Sequence, residues 1–152
     1  MGSPVNAAPM NASRQDPHAP LLIVDDDADT RDAFLLLFES EGYSIVGADS
    51  IADARTYLRR ATAPHVVLLD FLLPPENADS LLAAVEQEAP LRRHRYLLIS
   101  ATPPTRFSAE AQQLIARVCT QVMLKPFDVA DLLAAVARAE VQVSVCPAPE
   151  NS

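Results

Sequence analysis

The stretch LLIVDDDADTR, residues 21–31, places four apolar residues directly before three aspartates. A short and fully apolar run of this kind is typical of a strand that is buried on both faces of a parallel sheet. Aspartates after such a run end the strand and favour the positive end of a following helix. The stretch therefore predicts a strand over residues 21–24, a turn rich in carboxylates, and then a helix.

The same alternation of an apolar run and an amphipathic segment occurs five times along the chain. The other apolar runs are residues 44–48, 66–69, 96–99 and 121–124. The segments with apolar residues at three- and four-residue intervals are 29–41, 51–60, 79–88, 108–118 and 129–139. This alternation predicts an α/β fold, a doubly wound (βα)5 five-stranded parallel sheet with helices on both faces. Ligands then bind at the carboxyl ends of the strands.

Residues outside this pattern form the two ends of the chain. Residues 1–20 contain four prolines and no periodic apolar pattern, so we expect a flexible N-terminal leader. Residues 21–140 are expected to form one domain, and residues 141–152 a C-terminal tail. We favour disorder for this tail over an added edge strand. Because 152 residues leave little room for a second catalytic or DNA-binding domain, we expect the domain to act alone.

The charge and the hydropathy of the chain disfavour nucleic acids and membranes as partners. The 20 acidic and 12 basic residues leave a net charge of -8, which disfavours nucleic-acid binding. Apolar runs are far shorter than the roughly 20 residues of a membrane span. We therefore expect a cytoplasmic protein with no nucleic-acid or membrane partner. Since His18, His65 and His94 have no carboxylate or nucleophile at useful spacing, we expect them at exposed positions.

Three aspartates follow predicted strands at one edge of the expected sheet. Asp25 and Asp26 come directly after the first strand, and Asp70 ends the third. Carboxylates that converge in one crevice raise one another's pKa unless a cation neutralises them, and carboxylate oxygens suit Mg²⁺. The sequence therefore predicts a magnesium site. Asp27 and Asp29 are assigned instead to the N-terminus of the first helix.

A hydroxyl and an ammonium group follow the last two strands on the same edge. Ser100 ends the fourth strand, and Lys125 follows the fifth. Phosphoryl transfer requires a nucleophile in line with the leaving group and positive charge or hydrogen-bond donors on the phosphoryl oxygens. The pattern therefore predicts that Asp70 attacks phosphorus, while Ser100 and Lys125 contact the phosphoryl oxygens.

Four strings carry a resemblance to a known family. LLIVDDDADTR, VVLLDFLLP, LLISA and LKPF, in this order, resemble the response-regulator receiver domains of two-component signalling over residues 20–140. The resemblance implies a flavodoxin-like receiver fold in which Asp70 is the phospho-acceptor. It also implies that Mg²⁺ is held by Asp25, Asp26, Asp70 and the backbone carbonyl of Leu72.

Further family positions concern the structural change that phosphorylation would cause, which is called the switch. By the resemblance, Ser100 is the switch hydroxyl, Lys125 contacts the phosphate, and Pro126 follows a cis peptide bond. Pro74 also matches the family pattern. Val122 departs from it, because the family usually has an aromatic residue there. The connection from Ser100 to Lys125 is also longer than usual.

The resemblance also implies how such a domain works. A histidine kinase or histidine phosphotransfer protein donates the phosphoryl group, and the face formed by the fourth helix, fifth strand and fifth helix then changes. That face would bind an unknown downstream protein or a second copy of the chain, forming a homodimer. The domain would not be an enzyme beyond self-catalysed phosphoryl transfer to Asp70 and hydrolysis from it.

Two alternatives remain open. The departure at Val122 favours a receiver-like module that binds its partner without phosphorylation. The sequence Asp25-Asp26-Asp27 also resembles the start of the haloacid-dehalogenase-type phosphatases, in which the first aspartate is the nucleophile. Asp29 opposes that interpretation, because those enzymes have Thr or Val at its position.

Overall fold

The structure, a computed structural model, describes residues 18–73, 75–118 and 121–145. Predictions that fall on residues 1–17, on Pro74 and on residues 146–152 lie outside the described residues. Within them, the chain alternates strands and helices in the predicted order.

Five strands and five main helices make up the domain. The strands are β1 (Leu21–Val24), β2 (Ile45–Ala48), β3 (Val66–Asp70), β4 (Arg95–Ser100) and β5 (Gln121–Leu124). The helices are α1 (Ala28–Ser40), α2 (Ile51–Arg60), α3 (Ala78–Gln87), α4 (Ala109–Arg117) and α5 (Val129–Val145). Short helical turns lie at Ala89–Arg92 and Pro104–Arg106. The strands pair in parallel in the order β2-β1-β3-β4-β5, which confirms the predicted fold.

Both faces of the sheet are buried, as the continuous apolar runs predicted. In β1, Leu22 and Val24 pack into the core beneath α2, α3 and α4, whereas Leu21 and Ile23 pack into the core beneath α1 and α5. All four side chains are at most 1 % exposed. Because burying each one stabilises the fold by roughly 1.5–3 kcal/mol, β1 is held firmly from both sides. Its carboxyl end is therefore a rigid support for the residues that follow.

The C-terminal helix is longer than predicted. Val141–Val145 continue α5, so the expected disorder or edge strand is wrong for these residues. The alternation of valines suggested a strand, but no Gly or Pro interrupts the helix before Pro147, and an established helix extends at little cost. Among the described residues, no helix is long and apolar enough to span a membrane.

The end of the predicted leader is anchored to the domain. The His18 ring stacks on Tyr43 with 3.8 Å between ring centroids, and its Nδ1 lies 3.1 Å from Glu140 Oε2. The backbone N–H of Ala19 and the hydroxyl of Tyr43 also donate to Glu140, at 2.8 and 3.1 Å. Residues 18–20 are therefore packed against the domain, which corrects the expected flexibility for these three residues, and His18 is half-buried instead of exposed.

The other two histidines are buried, which corrects the prediction that they are exposed. His65 and His94 precede β3 and β4, and they are 5 % and 1 % exposed. His94 Nδ1 accepts a hydrogen bond from the backbone N–H of His65 at 2.9 Å, and its Nε2 lies 3.2 Å from the carbonyl oxygen of Leu58. Burial lowers the pKa of His94 to about 4 and also lowers that of His65. Both rings are therefore neutral structural groups.

Candidate metal centre

The three predicted aspartates meet at the carboxyl edge of the sheet. β1 and β3 pair with Val24 opposite Leu69, so the next residue of each chain segment, Asp25 and Asp70, lies side by side with the other at this edge. Asp25, Asp26 and Asp70 each offer a carboxylate oxygen within 4.8 Å of the other two. Asp25 is buried, Asp70 is half-buried and Asp26 is exposed. The cluster is thus supported by the sheet on one side and open to solvent on the other.

The cluster is electrostatically unfavourable by itself. Burial raises the pKa of Asp25 and of Asp70. A hydrogen bond from the backbone N–H of Asp27 and the Lys125 ammonium lower the pKa of Asp25, but burial outweighs them. Neighbouring carboxylates raise both pKa values further. A divalent cation would favour the ionised forms and remove this cost.

The donor set fits Mg²⁺. All three side chains present hard carboxylate oxygens, the ligand type that Mg²⁺ prefers. The exposed side of Asp26 leaves space for the waters that Mg²⁺ usually keeps. Asp27 stands apart from the cluster, because its carboxylate accepts a hydrogen bond from the backbone N–H of Thr30 at 3.0 Å. This confirms that Asp27 caps α1.

Lys125 lies beside the candidate acceptor. Its Nζ is 3.8 Å from Asp70 Oδ1, and its backbone N–H donates to the carbonyl of Ser100 at 2.8 Å. The Lys125–Pro126 peptide bond is cis, which confirms the prediction for Pro126. The fifth strand therefore brings one fixed positive charge to the acidic cluster.

The hydroxyl of Ser100 is engaged within its own loop. The side chain is buried, 2 % exposed, at the carboxyl end of β4. Its Oγ donates to the carbonyl of Thr102 at 2.8 Å and accepts from the backbone N–H of Thr102 at 2.9 Å. The residue is where the sequence predicted, but its hydroxyl must rotate away from Thr102 before it can contact a group on Asp70.

Leu72 touches the site through its backbone. A hydrogen bond from its N–H lowers the pKa of Asp70 against the larger effect of burial, which raises it. The Leu72 side chain is exposed and packs little against the domain. The predicted metal contact of its carbonyl stays a prediction.

Arg31 is a site residue that the sequence analysis missed. Its Nη1 donates to the carbonyl oxygen of Asp25 at 2.8 Å, across the surface of β2. Its Cδ passes over Gly47 of β2, 3.4 Å from the position that a Cβ would take, which is an ordinary contact distance. One signal was available, because a basic residue near the N-terminus of a helix opposes the helix dipole and therefore needs another partner.

A ring stack next to the site was also missed. Phe71, directly after Asp70, stacks on Phe107 with 4.4 Å between ring centroids and 7° between ring planes. Phe107 is buried just before α4. No local signal pairs these two residues, because they meet only when the third and fourth strand–helix units pack together.

The order of strands, the aspartates at their ends and the adjacent lysine agree with a family match. A model of the response regulator receiver domain matches residues 21–137. The chain belongs to the response regulator receiver domain family. This receiver domain is 36% identical over 81 residues to the alginate biosynthesis transcriptional regulatory protein AlgB of Pseudomonas putida. The matched part covers 53% of this chain and 18% of AlgB, so the chain spans less than a fifth of that relative.

Solved receiver domains have the same fold. A CheY-like receiver domain protein from Methanospirillum hungatei is 26% identical, with a TM-score of 0.68, covering 82% of this chain and 95% of that one. A response regulator receiver protein from Pseudomonas putida is 25% identical, with a TM-score of 0.69, covering 80% of this chain and 97% of that one. These similarities agree with the five-stranded parallel sheet of this receiver domain.

Proposed function

We propose that this receiver domain accepts a phosphoryl group on Asp70 in a reaction that requires Mg²⁺. The observation that carries the proposal is the convergence of Asp70 with Asp25 and Asp26, 3.8 Å from the Lys125 ammonium. A buried aspartate with a purely structural role would be stabilised by a single positively charged partner. This arrangement instead combines a nucleophile, a cation site and a fixed positive charge, which phosphoryl transfer requires together.

The chain's own residues explain the transfer. A carboxylate oxygen of Asp70 attacks phosphorus, and the bond from phosphorus to the donor atom breaks with its electron pair leaving on the donor. Lys125 stabilises the negative charge on the phosphoryl oxygens, and Ser100 donates to one of them after its hydroxyl leaves Thr102. Asp25 and Asp26 would hold Mg²⁺ with Asp70, and the ion would neutralise further charge on the phosphoryl oxygens.

Membership of the receiver family supports a proposal for the phosphoryl donor and for the response. We propose that a histidine kinase or phosphotransfer protein in the cytoplasm supplies the phosphoryl group. The face formed by α4, β5 and α5 then changes and binds a downstream protein or a second copy of this chain. Water later hydrolyses the acyl phosphate. This turnover is the domain's only proposed catalysis.

The proposal is tested with small phosphodonors. Purified protein is incubated with Mg²⁺ and acetyl phosphate, and its intact mass is measured. We expect one added phosphoryl group that requires Mg²⁺ and that is absent in Asp70→Asn. Asp32→Asn is the matched control, since Asp32 is an exposed aspartate on α1, and it should react like the wild type. A wild-type protein that forms no adduct would overturn the proposal.

One observation favours a second function. Ser100 is already satisfied by Thr102, and Val122 provides no ring for the usual switch, so the domain could bind its partner in this conformation without phosphorylation. In that case the wild type would form no adduct, and a partner captured with the wild type would bind equally well to Asp70→Asn. No such observation favours the phosphatase interpretation, which rests on the sequence Asp25-Asp26-Asp27. The carboxylate of Asp27 caps α1 by accepting a hydrogen bond from the N–H of Thr30.

A further inference from the structure

We propose that the stack of Phe71 on Phe107 couples Asp70 to α4, in place of the aromatic residue that is missing at Val122. The inference rests on the proposed phosphorylation of Asp70 and concerns how the event is transmitted.

The Phe71 end is attached rigidly to the acceptor. Phe71 follows Asp70 directly, and its backbone N–H donates to the carbonyl of Ile99 at 2.9 Å. Its own carbonyl accepts from the N–H of Ala78, the first residue of α3, at 3.0 Å. Since β4 and α3 both hold its backbone and its side chain packs against the core beneath α2, α3 and α4, Phe71 is a fixed surface beside the site.

The Phe107 end is attached to α4. Its carbonyl accepts from Gln112 Nε2 at 3.0 Å, and the next residue, Ser108, caps the helix by accepting from the N–H of Ala111 at 3.0 Å. Phe107 as a whole is only 7 % exposed. A displacement of the Phe107 ring therefore displaces the start of α4 with it.

The loop from β4 to Phe107 is held at its other end by Ser100. Both hydrogen bonds of the Ser100 hydroxyl go to Thr102, at the beginning of this loop. If the hydroxyl turns to a phosphoryl group on Asp70, it releases Thr102. Phe107 then moves with the released loop against the fixed Phe71 ring, and the start of α4 moves with it, so we expect Phe107 to shift relative to Phe71.

Val122 cannot take this role. It is half-buried against the same core as Phe71 and Ile115, on the face of the sheet that carries α4. An isopropyl group is too short to follow the movement of a hydroxyl at the end of the neighbouring strand. Phe107 provides the ring at this face, and it comes from the start of α4 instead of from β5.

The experiment adds Mg²⁺ and beryllofluoride, a stand-in for the phosphoryl group, and follows amide chemical shifts. In the wild type we expect changes at Asp70 and Ser100 that extend over residues 109–117. In Phe107→Leu the changes at Asp70 and Ser100 should persist, while those over residues 109–117 fall to less than half. Phe107→Tyr, which keeps a ring, should restore them.

A matched control separates the stack from packing in general. Leu114→Ala removes a buried side chain of α4 from the same core but leaves the stack in place, so its changes should still reach residues 109–117. A readout without any substitution is the shift of the Phe71 ring protons in the wild type, which should change when beryllofluoride binds because Phe107 moves.

Each failure has its own signature. Changes over residues 109–117 that are as large in Phe107→Leu as in the wild type would overturn the inference alone. Unchanged Phe71 ring protons in a wild type that binds beryllofluoride would do the same. A wild type that shows no change at Asp70 would overturn the proposed function and this inference together.

Discussion

Arg31 Nη1 donates a 2.8 Å hydrogen bond to the carbonyl oxygen of Asp25, so the first helix holds the backbone of the residue that begins the acidic cluster. The contact does not involve the Asp25 carboxylate, which accepts from the N–H of Asp27 at 2.9 Å instead. Backbone and side chain of Asp25 are therefore fixed by separate groups, and the carboxylate can keep its orientation towards Asp70.

Replacing Arg31 should weaken metal binding without removing a ligand. In Arg31→Met we expect roughly tenfold weaker Mg²⁺ affinity, because partners that orient a metal ligand typically contribute that much. The affinity is measured by titrating Mg²⁺ and following the amide shifts of Asp26 and Asp27. Arg59→Met, which breaks an ion pair with Glu88 at the surface, is the control and should bind Mg²⁺ like the wild type. Equal affinities for both variants would contradict the role of Arg31.

Removing the charge of Asp70 should stabilise the metal-free protein. Because burial raises the pKa of Asp70, its ionised form costs free energy in the folded state. In Asp70→Asn we therefore expect a higher Tm than in the wild type when EDTA is present. Excess Mg²⁺ should stabilise the wild type more than the variant and reduce the difference. A variant that melts below the wild type in EDTA would contradict this account, and Asp32→Asn again serves as the control.

His94 should make the protein sensitive to mild acid. Its pKa falls from an ordinary value of 6.5 to about 4, so the unfolded chain binds the proton more readily than the folded one. The neutral His94 ring therefore contributes stability to the folded state that is complete above pH 6.5 and is lost as the pH falls towards 4. Between pH 7 and pH 5 we expect a loss of about 2 kcal/mol in the free energy of unfolding, measured in urea.

The matched variant for this test is His94→Asn. The Asn amide oxygen can still accept from the backbone N–H of His65, but the side chain does not titrate. The variant should therefore lose less stability than the wild type between pH 7 and pH 5. An identical pH dependence in both proteins would show that other groups are responsible.

Glu140 should hold the segment before β1 against α5. Its carboxylate accepts from the N–H of Ala19 and from the hydroxyl of Tyr43, and it lies 3.1 Å from the His18 ring. In Glu140→Ala we expect a loss of about 1–2 kcal/mol and faster amide hydrogen exchange at Ala19. Glu39→Ala, an exposed glutamate on α1, should change neither quantity. Unchanged exchange at Ala19 in Glu140→Ala would contradict the anchoring role.

Strand and helix positions could be predicted because their signals are local. β1, β5 and α2 begin and end where the sequence indicated, and most other boundaries shift by one residue. Apolar runs of four or five residues between polar turns leave few choices for a buried strand. α5 is the exception, because the alternation of Val141, Val143 and Val145 suggested a strand while the preceding helix was free to continue.

The acidic cluster could be predicted because the topology of a parallel sheet brings strand ends together. The convergence of Asp25, Asp26 and Asp70 needed only the order of the strands and the position of each aspartate along the chain. By itself, the sequence therefore determined the sheet, its apolar faces and the aspartates at its carboxyl edge.

Only the tertiary structure decided how the other polar and aromatic groups are used. His65 meets His94, and Phe71 meets Phe107, across elements that pack together only after the sheet has formed. The direction of the Ser100 hydroxyl likewise depends on the path of the loop through Thr102. Periodicity records which face of an element is buried, but the partner of a side chain depends on the relative placement of distant elements, which a local pattern does not contain.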